Sequence, residues 1–408
     1  MSIIADLHIH SRYSRATSPQ MAPEVLWKWA QLKGITVVGT GDFTHPAWRG
    51  ELEEKLDPAG NGLFQLKEEH RGAGVPDSCK HEVFFLLSAE ISCIYRKSGR
   101  TRKVHCLIFA PDMGAAARLG LALSKIGNVA SDGRPILGLD AEALLRMVLD
   151  IEPAAMLVPA HAWTPHFSVF GAASGFDSLE ECFGELTPHI HALETGLSSD
   201  PPMNRRVAAL DRLALLSYSD AHSPAKMGRE ATIFETDVSF SAITEAIKTH
   251  RGLLGTVEFF PEEGKYHYDG HRQCAVCCSP EETIAHNYLC PACGKKLTMG
   301  VAHRVELLAD RACGSGQAAT LPYWPAIPLA EVLAEVMGMG AASKTVQEAY
   351  MKLLASLGSE LRVLLETPPA DIAAASMPLV AEGIQKVRQG LVRISPGYDG
   401  RYGRVKIF

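Results

Sequence analysis

Six short segments of the chain close apolar, strand-like runs with side chains able to bind divalent cations. They are Asp6-Leu-His8-Ile-His10, Gly-Asp42-Phe-Thr-His45, Ser-Ala-Glu90, Lys-Val-His105, Pro-Ala-His161 and Ser-Asp220-Ala-His222. Carboxylate oxygens and imidazole nitrogens are the natural ligands of such ions. One histidine after a strand is more often a core or surface residue than a ligand, but six such strand ends in chain order describe a cluster. His8 and His10 alternate along one strand and so face the same side. Hydrolysis of a phosphate ester suits this inventory. Two or three ions polarise the phosphoryl oxygens, lower the pKa of water and steady the leaving oxygen. A carboxylate shared between ions is common in such clusters, and Glu90 is the candidate for that bridge.

A second constellation lies downstream. Cys274-x-x-Cys277 and Cys290-x-x-Cys293 form two knuckles separated by a short loop, the spacing of a tetrahedral zinc ribbon with four cysteine ligands. Cys278 and His286 are spare groups nearby, and four-ligand sets that use either remain open. A zinc fully enclosed by sulfur has no free position for chemistry, so its expected role is structural. Cys79, Cys93, Cys106, Cys182 and Cys313 show no spacing of interest and read as core thiols; Cys106 should point away from the ligand side of His105.

These side chains need a scaffold. The runs Ile3–Ile9, Ile35–Gly39, Val83–Ser88, Val104–Phe109, Ala155–Val158, Ile190–Leu193 and Leu213–Ser217 are short, continuous and apolar, as parallel strands buried on both faces should be. Amphipathic stretches such as Pro23–Lys33, Asp140–Leu149 and Pro202–Leu210 lie between them. Seven such repeats predict a β/α barrel, which places functional groups at the carboxyl ends of its strands. Glu51 to Lys80 breaks the alternation and reads as an insertion over the barrel mouth. Near Glu263 the character changes: residues 265–300 are polar and hold five of the ten cysteines. Beyond Val301 the periodicity is helical over Leu329–Met337, Thr345–Leu357 and Met377–Gln389. The expected domains are therefore residues 1–262 (barrel), 263–300 (zinc ribbon) and 301–408 (helical, with a basic end).

Composition narrows the function. The chain has 408 residues, is 47% hydrophobic and carries a formal charge of −6, enough for a large core and too balanced for a generally polyanion-binding surface. It shows no signal peptide and no apolar run of membrane-spanning length; a soluble cytoplasmic enzyme with no membrane partner is expected, with thiols rather than disulfides. Two basic segments stand out. Arg96, Lys97, Arg100, Arg102 and Lys103 cluster between two strands that end in ligands, where they could hold a polyanion backbone. From Lys386 to Phe408 there are six Lys/Arg and one Asp, with Tyr398 and Tyr402 near Arg401, an arrangement suited to base stacking and phosphate contact. Glu194 and Ser198 follow the sixth strand at the ligand end and are candidates for substrate positioning or for support of the cluster.

The motifs Asp-Leu-His-Ile-His-Ser, Gly-Thr-Gly-Asp-Phe, Ser-Ala-Glu, Val-His, Pro-Ala-His and Ser-Asp-Ala-His resemble the successive motifs of the PHP (polymerase and histidinol phosphatase) family over residues 1–260. The resemblance implies a distorted seven-stranded β/α barrel with a trinuclear cluster of Zn, Mn, Mg or Fe. Position by position it implies one ion on His8, His10, Glu90 and Asp220, a second on Glu90, His105 and His161, and a third on Asp42 and His222, with His45 as an additional ligand. Two departures weaken the third site: Arg15 stands where many members carry an acidic residue or His, and His45 is displaced from the usual Thr-Asp-His. Arg15 would then contact a substrate phosphate.

Barrel, ribbon and basic helical tail together resemble the branch of this family that repairs DNA. That resemblance implies an endonuclease cutting the phosphodiester on the 5′ side of a deaminated base (uracil, hypoxanthine, xanthine) or an abasic site, with Asp220, Glu90 and His222 catalytic. Arg15, Glu194, Ser198, Arg100, Arg102, Lys103, Tyr398, Arg401 and Tyr402 would meet the DNA, and a sliding clamp or other repair factors are further partners it allows. The alternative is a small-molecule phosphatase of the histidinol-phosphate type, which would leave some 150 residues after the barrel without a purpose.

Overall fold

The structure, a computed structural model, describes residues 2–312 and 321–408; Cys313 lies outside them. The strands that frame the first part are β1 (Ser2–Asp6), β2 (Val37–Gly39), β3 (Phe84–Lys97), β4 (Arg100–Ala110), β5 (Met156–Pro159), β6 (Ala192–Glu194), β7 (Ala214–Leu216), β8 (Ala231–Glu235) and β9 (Leu253–Glu258), with the short strands Leu56–Pro58, Phe64–Leu66 and Ile136–Leu137 beside them. Helices α1 (Pro23–Lys33), α2 (Pro46–Lys55), α3 (Met113–Ser124), α4 (Ala141–Ile151) and α5 (Phe240–Thr249) pack around them. Each of α3, α4 and α5 starts on a side-chain cap: Asp112, Asp140 and Ser239 accept a main-chain N–H of the first turn, which satisfies donors the helix cannot.

The protein is mixed α/β, and its strands are not all parallel. β1 runs parallel to β2, and β2 to β3, but β4 is antiparallel to both β3 and β5, and β8 is antiparallel to β1 and β9. The expected seven parallel strands are thus corrected to a mixed sheet. The cause is local: only Ser98 and Gly99 separate β3 from β4, both at positive φ (52° and 75°), and a two-residue connection joins antiparallel strands. β6 and β7 pair in parallel as a separate ribbon. Single hydrogen bonds continue the course: Ala162 N–H to the Glu194 carbonyl, Thr195 N–H to the Leu216 carbonyl, and His10 N–H to the Ala221 carbonyl. Two of the six ligand-bearing segments are not strand ends as expected: Glu90 lies within β3 and His105 within β4, on adjacent strands of the antiparallel ladder.

The stretch after α2 is no lid. It forms two short antiparallel strands, of which Phe64 pairs with Phe85. It then turns away from the ligand end: His81 Nε2 lies 3.0 Å from the Ile35 carbonyl, before the start of β2, and Ser78 donates to the Leu354 carbonyl at 2.7 Å.

After β9 the chain forms a small antiparallel pair (Asp269–His271 with Val276–Cys278) and a short helix (Pro280–Ala285) with a Ser279/Glu282 capping box. The helix Val301–Leu308 follows, and its Val301 and Val305 bury in the main core. Five helices, α6 (Leu329–Met337), α7 (Lys344–Leu357), α8 (Glu360–Leu365), α9 (Pro369–Ala375) and α10 (Pro378–Arg388), share a separate core built on Leu333, Tyr350, Leu354, Ile372 and Ile384. A buried ion pair, Lys33 to Glu360 at 2.7 Å, ties these helices to α1. No helix among the described residues is long and apolar enough to cross a membrane.

Candidate metal centre and adjoining cavity

β1 and its continuation deliver His8 and His10, and the turn after β7 delivers Asp220. Asp6 holds that turn in place, accepting from Ser219 N–H (3.0 Å), Ser219 Oγ (2.6 Å) and Gly228 N–H (2.9 Å). His8, His10 and Asp220 form one group whose ligand atoms all lie within 4.8 Å of one another; Glu90, His105 and His161 form a second. Glu90 joins them. Its Oε2 lies 3.2 Å from His10 Nε2 and 3.6 Å from His8 Nε2, while its Oε1 lies 2.6 Å from His105 Nδ1 and 3.1 Å from His161 Nε2. One oxygen toward each group is the geometry of a bridging carboxylate.

The proton inventory shows what fits between them. His8 Nδ1 donates to Glu194 Oε1 (2.8 Å) and His10 Nδ1 to Asp42 Oδ1 (3.1 Å), so each Nε2 carries a lone pair. His8 Nε2, His10 Nε2 and Asp220 Oδ1 are buried and have no hydrogen-bond partner, although Asp220 Oδ1 sits 3.1 Å from His10 Nε2 and 3.6 Å from His8 Nε2. Converging lone pairs without a donor suit a cation and little else.

Burial alone would lower His8 and His10, yet the carboxylates around them raise both well above the usual histidine value: the site draws positive charge, which a cation would supply in place of the Nε2 protons. Burial would raise Glu90 and Asp220, yet the neighbouring histidines hold both below the usual carboxylate range. Burial pushes His105 down to about 4 despite Glu90, which keeps its imidazole in the neutral form that binds metal. Asp42, His161 and Asp220 all carry positive φ (52°, 29° and 47°), backbone strain of the kind concentrated at functional sites.

Several expected residues take other places. Asp42 is fully buried and both its oxygens are engaged: Oδ1 by His10, and Oδ2 by Ser11 N–H (2.7 Å), Ser11 Oγ (2.6 Å) and Ser14 Oγ (2.9 Å). It orients His10 and lies outside both ligand groups. His45 is corrected from ligand to helix cap: its Nδ1 accepts from Trp48 N–H, its Nε2 bonds the Ala130 carbonyl at 3.0 Å, and its ring stacks on Tyr13. His222 lies beside the cluster, its ring centroid 4.5 Å from that of His10 and its Nδ1 2.9 Å from the Asp220 carbonyl. Glu194 is fully buried, holding His8 with one oxygen and the His161 N–H (2.6 Å) with the other, and it also lines the adjoining cavity.

Among the basic candidates, Arg102 is buried against the Phe176 ring and donates to the Gly175 carbonyl, which removes it from the surface. Lys103 lies over Phe167, 5.1 Å from the ring centroid, Arg100 is exposed at the hairpin tip, and Arg15 is exposed beside Asp132.

A cavity of about 220 Å³ opens beside Asp220 and His161. Its walls include Thr164, Pro165, Leu197, Tyr266 and Val301, with Ser198, Lys265 and Tyr402 at polar positions. Tyr402 thus reaches the site. Tyr398 and Arg401 do not line it; Tyr398 bridges to Tyr268 and Arg401 donates to the Tyr398 hydroxyl at 3.3 Å, clasping the C-terminal end to the cysteine-bearing segment. There, the four groups brought within 4.8 Å are His271, Cys274, Cys290 and Cys293. Cys277 is exposed and outside the set, and so is His286; His271 Nδ1 lies 3.5 Å from Cys293 Sγ. The expected four-cysteine arrangement is corrected to three cysteines and one histidine. His271 was findable, standing three residues before Cys274. Arg134, 3.2 Å from Glu90 Oε2, had no comparable signal, because it sits in a loop with no motif spacing.

Residues 328–391 match the family model of the MJ0043 C-terminal domain. The chain is 34% identical over 255 residues to the uncharacterized protein MJ0043 of Methanocaldococcus jannaschii, covering 60% of this chain and 31% of that one, so it spans about a third of that relative's length. It is 29% identical to YqxK of Bacillus subtilis over 99% of both. The crystal structure of the lesion-specific endonuclease PfuEndoQ from Pyrococcus furiosus superposes with a TM-score of 0.86 at 33% identity, covering 100% of this chain and 95% of the other.

This chain belongs to the endonuclease Q family. Its members hydrolyse phosphodiester bonds. A second endonuclease Q structure, in complex with a 27-mer duplex that has an abasic lesion at the active site, matches at a TM-score of 0.85 and 33% identity over 100% of this chain and 97% of that one.

Proposed function

We propose that the protein is a metal-dependent DNA repair endonuclease that cuts the phosphodiester on the 5′ side of a deaminated base or an abasic site. The observation that carries this reading is the pairing of the Glu90-bridged ligand groups with the adjoining cavity. His8, His10, Glu90 and Asp220 would hold one divalent ion, and Glu90, His105 and His161 a second; His222, beside His10 and Asp220, would serve a third. His271, Cys274, Cys290 and Cys293 would hold a structural zinc. Ions in the cluster would supply charge neutralisation on the phosphate and a lowered pKa for water.

The chain's own residues do the rest. Asp220, held below the usual carboxylate range, stays ionised and serves as a ligand rather than as a proton donor. Water attacks phosphorus and the upstream O3′ departs with a proton, leaving a 3′-hydroxyl and a 5′-phosphate. The cavity takes the damaged nucleotide out of the stack, which costs least where the base is mispaired or missing. Tyr266 and Tyr402 offer rings for stacking and Lys265 a cation. The division into catalytic unit (1–262), ribbon (263–300) and helical tail (301–408) belongs to the same reading.

End-labelled duplexes carrying one deoxyuridine, one deoxyinosine, one abasic site or no lesion test it, with Mg²⁺ or Mn²⁺. A single nick just 5′ of the lesion is expected, absent from the undamaged duplex and from a folded Asp220→Asn variant. Hydrolysis of a small phosphate monoester with no nick under either metal would replace this reading with the phosphatase one.

A further inference from the structure

The loop 128–135 contributes no residue to either ligand group, yet it touches the strand-end segments that build them. Gly133 N–H donates to the Tyr13 carbonyl at 3.0 Å, the Ala130 carbonyl meets His45, and the Pro135 carbonyl accepts from Ser92 N–H at 3.0 Å. The approach is close: a Cβ on Gly133 would stand 2.3 Å from Asp42 Oδ2 and 2.5 Å from Ser14 Oγ. The next residue, Arg134, sends its guanidinium to Glu90, with Nη1 3.2 Å from Oε2.

Neutralising Glu90 does not account for this arginine. Glu90 already faces His8, His10, His105 and His161. A guanidinium presents five N–H donors in a planar fork, and Glu90 is its one side-chain partner among the described residues. The side chain keeps 29% of its surface exposed, so donors not used on Glu90 are open to a further partner. The backbone beneath is fixed by a single buried carboxylate: Asp132 Oδ1 accepts the main-chain N–H of Arg134 (3.2 Å) and of Arg15 (3.3 Å), and Oδ2 pairs with Arg15 Nε (3.2 Å). Arg15 is 79% exposed. One acid therefore spaces two arginines at the edge of the cluster, one half-buried and one projecting.

We propose that Arg134 is a catalytic residue, donating to a non-bridging oxygen of the scissile phosphate, and that Asp132 positions it with Arg15 directed at the neighbouring phosphate of the same strand. This rests on the nuclease reading above. Attack of water on a phosphodiester raises the negative charge on the non-bridging oxygens, so a donor fixed there strengthens in the transition state.

The test compares Arg134→Met, Arg134→Lys and Asp132→Asn with the wild-type protein, each checked for folding by thermal unfolding and for bound metal by atomic emission. Arg134→Met is expected to lower the single-turnover nicking rate by about 10²–10³-fold, with metal content unchanged and duplex Kd raised by no more than about threefold. The Lys variant should recover part of the rate, and Asp132→Asn should fall between. Substituting sulfur for one non-bridging oxygen at the scissile position should slow the wild type for one diastereomer, and that sensitivity should vanish in Arg134→Met. A Met variant within about threefold of the wild-type rate, a loss explained by missing metal, or an undiminished thio effect would overturn the proposal. Should the wild type nick no lesion duplex, the nuclease reading falls separately. The same variants on bis(p-nitrophenyl) phosphate then decide: a comparable loss supports Arg134 at the phosphate, and an unchanged rate refutes it.

Discussion

At the scale of single residues, the candidate ligand groups depend as much on carboxylates outside them as on those within. Glu194 and Asp42 hold His8 and His10 by their Nδ1 protons and so aim both Nε2 lone pairs at Asp220. Such partners fix tautomer and ring orientation, and their loss weakens metal binding by about 10–100-fold. Glu194 does this twice, since its second oxygen accepts the His161 N–H. A glutamine there keeps one acceptor and loses the other. Glu194→Gln is therefore expected to raise the Mn²⁺ concentration needed for half-maximal nicking by about 10–100-fold, with the maximal rate largely recovered at saturating metal. A rate that excess metal leaves low would point to a direct role for Glu194 at the substrate instead.

At the scale of elements, the cysteine-bearing segment is the informative case. Its strands pair His271 with Val276, and Cys277 with Gly270. Adjacent strand residues face opposite sides, and in this ribbon Cys277 ends exposed, while the knuckle closed by Cys290 N–H to the Lys295 carbonyl brings Cys290 and Cys293 toward Cys274 and His271. The expected outcome is that Cys277→Ser keeps the zinc and the wild-type unfolding midpoint. His271→Ala and Cys290→Ser should release zinc to a colorimetric chelator and expose residues 263–300 to proteolysis. Zinc lost with Cys277→Ser and kept with His271→Ala would restore the four-cysteine set.

At the scale of the whole molecule, the C-terminal helices are seated by a small number of buried contacts. Lys33 and Glu360 are each about 4% exposed, and Glu360 also accepts from Tyr350 Oη (2.7 Å) and Leu329 N–H (3.0 Å). Glu360→Ala leaves a buried ammonium without its partner, at an expected cost of about 3–5 kcal/mol in urea unfolding; Lys33→Met combined with Glu360→Leu should recover most of it. The C-terminal end is likewise structural. Ile407 is buried, and Glu335 accepts the main-chain N–H groups of Ile407 and Phe408. Truncation would thus disturb the helical core. Tyr402, 75% exposed at the cavity wall, is the cleaner probe. Tyr402→Ala is expected to weaken lesion-duplex binding by about 1–3 kcal/mol in fluorescence anisotropy while leaving the unfolding midpoint in place.

Much of this protein is local in sequence. The six ligand-bearing segments, the helix caps at Asp112, Asp140 and Ser239, and the cysteine knuckles are spaced by the backbone itself, so their residue types disclose a metal-dependent hydrolase and its helices before any fold is known. Strand direction was not legible: the apolar runs stop at Ser88 and resume at Val104, and only the structure extends both strands to the two-residue Ser98-Gly99 turn that makes the pair antiparallel. What tertiary structure alone decided is which atoms converge. Asp42 and His45 carry ligand chemistry, yet other groups already occupy them: Ser14 and His10 donate to Asp42, while His45 accepts from the nearby Trp48 N–H at Nδ1 and donates from Nε2 to the distant Ala130 carbonyl. Arg134 has no motif around it and reaches the cluster only because its loop folds over Asp42. Arg102 belongs to a basic run and is nevertheless buried under Phe176. A sequence states what each side chain can do; whether its donors and acceptors are already satisfied depends on packing between segments far apart in the chain, and that is where the third ligand set and the ribbon's fourth ligand departed from expectation.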